Sequence, residues 1–157
     1  MKNRLYRLSV WIKAARAPFL TATIIPVILG TAVAWSEAGK FNLANFLLVL
    51  IGVSFLHTGT NLINDYFDHV TRNDWLNKNP TPFSGGSRVI QEGMIAPKGI
   101  LIFSLACFLA GSLIGLALNH RIGTNVILFL GITGVFLGFF YTALPLKIGY
   151  RGLGEII

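Results

Sequence analysis

The chain alternates long apolar runs with shorter basic and polar segments. Four runs, 18–35, 41–63, 99–118 and 123–144, contain no Asp, Glu, Lys or Arg. A helix needs about 20 mostly apolar residues to cross the hydrocarbon core of a bilayer, and each run reaches or approaches that length. The chain turns apolar again over 152–157, like the start of a fifth span. The pattern predicts an all-α fold, a polytopic transmembrane helical bundle of four spans plus the start of a fifth, forming a single membrane domain over 1–157. The first run also has the look of a secretory leader, with basic residues ahead of it and Ala32-Val33-Ala34 near its end. The short 36–40 gap before the second run favours a hairpin of two spans. Pro26 and the glycines are ordinary in membrane helices. Gly111 and Gly115 form a GxxxG that predicts close helix packing, and Gly131, Gly134 and Gly138 punctuate the fourth run.

Composition sharpens the picture. Of 157 residues, 54% are hydrophobic and 12% charged, about half the charge of a typical soluble domain. The surroundings of such a chain are a lipid bilayer. Its net charge of +7 comes from scattered Lys and Arg with no basic stripe, so nucleic acid is not a partner. The single Cys107 lies in an apolar run, which excludes a disulfide framework and a thiolate metal site. Eleven of the 13 basic residues fall before the first run, between the second and third, or after the fourth, leaving Lys40 and Arg121 on the other side. By the positive-inside rule the N-terminus and the 64–98 loop are cytoplasmic, in a multi-pass protein of the inner or plasma membrane.

Polar residues inside a span are costly, and several on one face become candidates for function. At about 100° per residue, His57, Asn61, Asn64, Asp65 and Asp68 share an arc of roughly 100° that climbs the end of the second run. Asn73 and Asp74 follow shortly after. Two carboxylates three residues apart beside an amide oxygen suit Mg²⁺, a hard cation often shared between one or two carboxylates and substrate phosphates. Zinc is disfavoured without thiolates and with His57 two turns away. In the loop beyond, Arg72, Lys78 and Arg88 are candidates to neutralise a diphosphate held to the acids through a cation. Gly85-Gly86-Ser87 would bring backbone N–H groups to phosphate oxygens, or simply form a turn. A last polar patch comprises Tyr141, Thr142, Lys147, Tyr150 and Arg151, which also reads as interfacial anchors and aromatic-belt residues.

Taken together, HTGTNLINDYFD at 57–68, Asp74, GGSRVIQ at 85–91 and YTALPLKIGYRGLGE at 141–155 resemble the UbiA superfamily of intramembrane prenyltransferases. They are most similar to its menaquinone branch, the 1,4-dihydroxy-2-naphthoate polyprenyltransferases. The resemblance runs across essentially the whole chain. It implies a helical bundle around a central cavity and Mg²⁺-dependent transfer of a polyprenyl chain from polyprenyl diphosphate to an aromatic acceptor. It assigns Asn64, Asp65 and Asp68 to the first Asp-rich motif and the metal, with Asp74 as the trailing acid. Arg16 is implied near the diphosphate, and Tyr141, Lys147 and Arg151 at the cavity mouth. His57, Asn61, Arg72, Lys78, Arg88 and Gln91 complete the candidate substrate-binding set. A dry cavity suits an allylic carbocation that water would quench, and the twelve Phe residues offer ring faces to shield it.

The departure from the family pattern is length. Family members are nearly twice as long and carry a second Asp-rich motif, whereas the carboxylates after Asp74 are Glu92 and Glu155 alone. The expectation is an N-terminal half, inactive by itself. Another aromatic acceptor such as 4-hydroxybenzoate is an alternative. A four-span transporter or assembly subunit using the stripe as an ion path is the alternative outside the enzymes.

Overall fold

The computed structural model describes residues 2–79, 81 and 85–152, with backbone alone for 2–4. It is built of α1 (Lys2–Ala14), α2 (Thr21–Ala38), α3 (Leu43–Val70), α4 (Asn73–Leu76), α5 (Pro97–Ile122) and α6 (Val126–Phe140). Tight 3-10 turns at Ala17–Leu20 and Ile148–Arg151 complete it. Three helices are long and apolar enough to cross a membrane: Ala17–Ala38, in which the first 3-10 turn runs into α2, then Leu43–Val70 and Pro97–Ile122.

Local chemistry sets the ends. Gly39 takes a left-handed conformation, φ +64°, and its N–H bonds Trp35 O to close α2. Asn42 caps α3, its side chain accepting from Asn45 N at 2.9 Å. Pro97 opens α5 at a position where its missing N–H costs nothing. Gly123, φ +72°, ends it. The fourth apolar run is shorter as a helix than as a sequence. Gly123 is spent on capping α5, and the turn at 141–146 leads into Pro145, whose ring excludes the preceding residues from a helix. The 15 residues of α6 rise about 22 Å, less than the roughly 30 Å of a hydrocarbon core. The anticipated fifth span falls mainly at 153–157, outside the described residues.

Helices α3 and α5 form the closest pair. A Cβ on Gly111 would lie 2.7 Å from the Leu56 side chain and 2.9 Å from Gly52 O, and one on Gly59 would lie 3.2 Å from the Phe108 ring. Ser104 Oγ donates to Gly59 O at 2.9 Å. Small residues on both helices therefore let the backbones approach. Half of the GxxxG is used this way, because a Cβ on Gly115 would meet nothing within 4 Å. An apolar groove of about 790 Å³ opens between α3, α5 and α6, lined by Gly52, Leu56, Gly111, Gly134 and Phe139 among others. It lies on a different face of α3 from the polar stripe.

At the other end of the bundle the connections fold over the helices. Val10 and Ala14 of α1 pack with Leu62 of α3, Val89 and Ile90 of the α4–α5 connection, and Ile100 and Cys107 of α5. Trp11 meets Phe103 edge-on, with ring centroids 4.8 Å apart. The 28 residues of α3 rise about 42 Å, longer than the hydrocarbon core, so its last two turns, which carry the acids, reach the level of these connections.

Candidate functional site

The polar stripe predicted on one face of α3 is there, and each member has its own partner. His57 Nδ1 lies 2.5 Å from Thr23 Oγ1 on α2. Asn61 Nδ2 donates to Ala15 O at 3.1 Å, where α1 ends. Asn64 Oδ1 accepts from Thr142 Oγ1 at 2.8 Å. Asp68 accepts from the Tyr150 hydroxyl. Asp65 sits deepest, 2% exposed, and holds the centre of the site.

Around Asp65 three separate segments converge. Arg16 Nη2 is 2.6 Å from Asp65 Oδ1. Ser87 N reaches both Asp65 oxygens at 3.2 Å, and the Ser87 hydroxyl donates to Oδ2. Asp74, fully buried, comes in from α4, its Oδ2 accepting from Gln91 Nε2 at 3.1 Å while its backbone carbonyl accepts from Arg88 Nη1 at 3.0 Å. Burial pushes the Asp74 carboxyl above the ordinary carboxylate range, and the neighbouring Asp65 adds to the shift. Burial also raises the Tyr150 phenol, reinforced by its bond to Asp68, so it stays a donor at ordinary pH.

Gly86 marks the point of convergence. Its φ is +72°, and a Cβ there would lie 2.6 Å from Asp74 Oδ2, 3.0 Å from Asp65 Oδ1 and 3.3 Å from Arg16 Nη2. Glycine is required on two counts: the left-handed backbone and the space. Two carboxylate oxygens and a guanidinium nitrogen thus crowd the same side of Gly86. Beside it, Arg16 Nε is buried with no hydrogen-bond partner, an unused donor suited to an anion.

The other basic candidates are distributed differently. Arg72 and Lys78 are exposed and form no ion pair among the described residues. Arg151 turns back on its own loop, donating to Leu146 O at 2.6 Å. Tyr141 packs under Gly149, where a Cβ would lie 2.8 Å from its ring. Lys147 starts the 148–151 turn at φ +47°. Arg16, Arg72, Arg88 and Lys147 are the four non-glycine residues with positive φ among the described residues. Such backbones are uncommon for side chains of this size and concentrate at functional sites.

Sequence reasoning passed over Thr23, and it named Gly86, Ser87 and Thr142 in a glycine-rich loop and a polar patch without including them among the site residues. The glycine pair ahead of Ser87 was the available signal, read as a cradle for phosphate; the anion that the Ser87 N–H meets within the chain is Asp65. Among the described residues no three His, Cys, Asp or Glu side chains group as metal ligands. The carboxylates that converge are the pair Asp65 and Asp74, while Asp68 turns toward Tyr150.

An all-helical chain with three membrane-length helices and an acid–guanidinium cluster at one end of the bundle has the architecture of a multi-pass membrane protein. Comparison with known sequences gives the family: the chain belongs to the UbiA prenyltransferase family, whose model matches residues 23–157. It is 28% identical to the 2-carboxy-1,4-naphthoquinone phytyltransferase of Synechocystis sp., across 94% of this chain and 45% of that protein. It is 32% identical to the 1,4-dihydroxy-2-naphthoate octaprenyltransferase of Bacillus subtilis, across 87% of this chain and 42% of the relative. It is 29% identical to the enzyme of the same name from Escherichia coli, across 99% and 50%. The chain therefore spans about half the length of the curated relatives it matches. No solved structure matches it.

Proposed function

We propose that these residues form part of the site of an aromatic prenyltransferase, which moves a polyprenyl chain from polyprenyl diphosphate to an aromatic acceptor at the membrane. The acceptor is 1,4-dihydroxy-2-naphthoate, the step is one of menaquinone biosynthesis, and the N-terminus and the acid cluster lie on the cytoplasmic side. The observation that carries this reading is the meeting of Asp65, Asp74 and Arg16 around Gly86. The activities for which these relatives are named support the acceptor class.

The donor set fits Mg²⁺. One carboxylate oxygen from Asp65 and one from Asp74 approach the same side of Gly86, and Mg²⁺ commonly takes one or two carboxylates plus substrate phosphates. Asp65 of α3 and Asp74 of α4 would hold it, with Asn64 and Asp68 nearby on α3. When bound, the cation supplies positive charge against the diphosphate as it leaves. The chain's own groups do the rest. Arg16 brings its guanidinium to the same acids and keeps a buried, unbonded Nε–H, and fixed charges in a buried site stabilise developing negative charge more strongly than they would in water. Gln91 and Arg88 hold Asp74, through its carboxylate and its backbone respectively. The bond from the prenyl C1 to the diphosphate oxygen breaks with its electron pair on the diphosphate, the electron-rich ring attacks the resulting allylic cation, and the attacked ring carbon releases a proton, or CO₂ where it bears the carboxylate, to restore the aromatic ring.

The test uses membranes containing the full protein, a polyprenyl diphosphate and 1,4-dihydroxy-2-naphthoate, with and without Mg²⁺, and with 4-hydroxybenzoate as competitor. Asp65→Ala and Asp74→Ala should each remove cation-dependent prenylation. Near-normal turnover in either variant overturns the site, and preference for 4-hydroxybenzoate overturns the acceptor.

A further inference from the structure

Ser87 makes more contacts to the central acid than any other described residue. Its N–H is shared between both oxygens of Asp65 at 3.2 Å, and its hydroxyl adds a bond to Oδ2. A carboxylate held by two donors from one residue and by Arg16 from the opposite side has its plane and rotamer fixed.

Ser87 is itself held. It is 7% exposed, and the two residues after Arg88, Val89 and Ile90, are buried in the core formed with Val10, Ala14, Leu62 and Ile100. Before it, Gly86 takes a backbone at φ +72° that brings the chain against Asp65 and Asp74. Arg88, φ +62°, ties the strap to α4 through Asp74 O. The 85–91 strap is thus anchored in the core through Val89 and Ile90 and to α4 through Arg88 and Gln91, with Ser87 bonded to Asp65.

We propose that Ser87 is a positioning residue: its hydroxyl orients the Asp65 carboxylate so that Oδ1 lies beside Gly86 on the side that Asp74 Oδ2 also approaches. This rests on the prenyltransferase reading of the same site and names a residue that reading does not need. Groups that hydrogen-bond to a metal-ligating carboxylate typically contribute about 10- to 100-fold to metal affinity or activity. The hydroxyl is one of several bonds on Asp65, so the effect of deleting it falls at the lower end, about 10-fold.

The experiment is Mn²⁺ binding to the purified full protein in nanodiscs, followed by electron paramagnetic resonance without diphosphate or acceptor, together with the Mg²⁺ dependence of prenylation. Wild type, Ser87→Ala, Ser87→Thr and Asp65→Asn are compared. Ser87→Ala should weaken Mn²⁺ binding about 10-fold and raise the Mg²⁺ requirement by the same factor. The KM for the acceptor should stay near that of wild type. Ser87→Thr, which keeps the hydroxyl, should restore cation binding. If Ser87→Ala does not fold, Ser87→Cys, nearly isosteric with a weaker donor, takes its place and should show the same direction. Unchanged Mn²⁺ binding in Ser87→Ala while Asp65→Asn loses it overturns the role of Ser87 and leaves the prenyltransferase reading standing, as does a Thr variant as impaired as the Ala variant. Absence of Mn²⁺ binding and of prenylation in the wild type overturns both.

Discussion

Two ion pairs in this chain have the same length and opposite surroundings, which makes them a controlled comparison. Arg16–Asp65 and Lys13–Glu92 both close at 2.6 Å, but the side chains are 20% and 3% exposed in the first pair and 43% and 40% in the second. Coulomb attraction alone, at equal distance, would rank them together. Desolvation separates them. Arg16→Gln leaves a buried carboxylate without its cation, and removing one partner of a buried pair costs about 3–5 kcal/mol. The Ser87 bonds still satisfy part of Asp65, which places the expected loss near 3 kcal/mol. Lys13→Gln strands an exposed Glu92 in high dielectric and should cost about 0–1 kcal/mol. Arg16→Gln combined with Asp65→Asn should recover much of the loss, because no buried charge is left over. The measurement is thermal unfolding of the full protein in one detergent, with all four variants side by side. A loss of about 3 kcal/mol corresponds to about 6–12 °C at the 2–4 °C per kcal/mol typical of domains this size. Equal shifts for Arg16→Gln and Lys13→Gln, or a double variant no better than the single, would refute the reasoning.

The glycines give further expectations. Gly111→Ala drives a methyl to 2.7 Å from Leu56 and 2.9 Å from Gly52 O, so it should cost about 1–3 kcal/mol by overpacking. Gly115→Ala meets open space and should be neutral or stabilising by up to about 1 kcal/mol through helix propensity; unfolding of the pair in the same detergent checks both. Gly86→Ala combines a left-handed backbone worth about 1–2 kcal/mol with a contact of 2.6 Å to Asp74, and prenylation by the full protein should fall with stability. Tyr150→Phe removes the donor to Asp68 and should raise hydrogen exchange across 147–151 while leaving exchange in α5 unchanged.

Three of the four expected spans and the polar face of α3 were legible because both are regular properties of a helix. Apolar length fixes which segments can cross a membrane, and a rise of 3.6 residues per turn puts 57, 61, 64, 65 and 68 on one side whatever surrounds them. The partners of those residues were not legible. They come from Thr23, Ala15, Thr142, Arg16, Ser87 and Tyr150, most of them on connections whose course no periodicity describes. The helical character of α1 was also missed, since Lys2–Ala14 mixes basic and apolar residues without a single clean stripe. Val10 and Ala14 pack inward while Leu5, Leu8 and Ile12 remain exposed.

The basic residues show most clearly why position in sequence under-determines a site. Read as charges, Arg16, Arg72, Lys78, Arg88, Lys147 and Arg151 are equivalent candidates for an anion. The backbone distinguishes them. Arg16, Arg72, Arg88 and Lys147 all adopt positive φ, at junctions where a helix or turn ends and glycine or asparagine is the usual occupant. A long cationic side chain in a left-handed backbone carries a cost of about 1–2 kcal/mol. In two of the four the return is visible: Arg16 reaches Asp65 and Arg88 reaches the Asp74 carbonyl. The sharp turn at Arg16 ends α1, so the helix that seals the strap through Val10 and Ala14 also delivers the guanidinium to the acids beneath it. Strain, burial and charge therefore meet at Arg16, and a substitution there is expected to disturb fold and ligand binding together, whereas the exposed Lys78 should tolerate neutralisation with little effect on either.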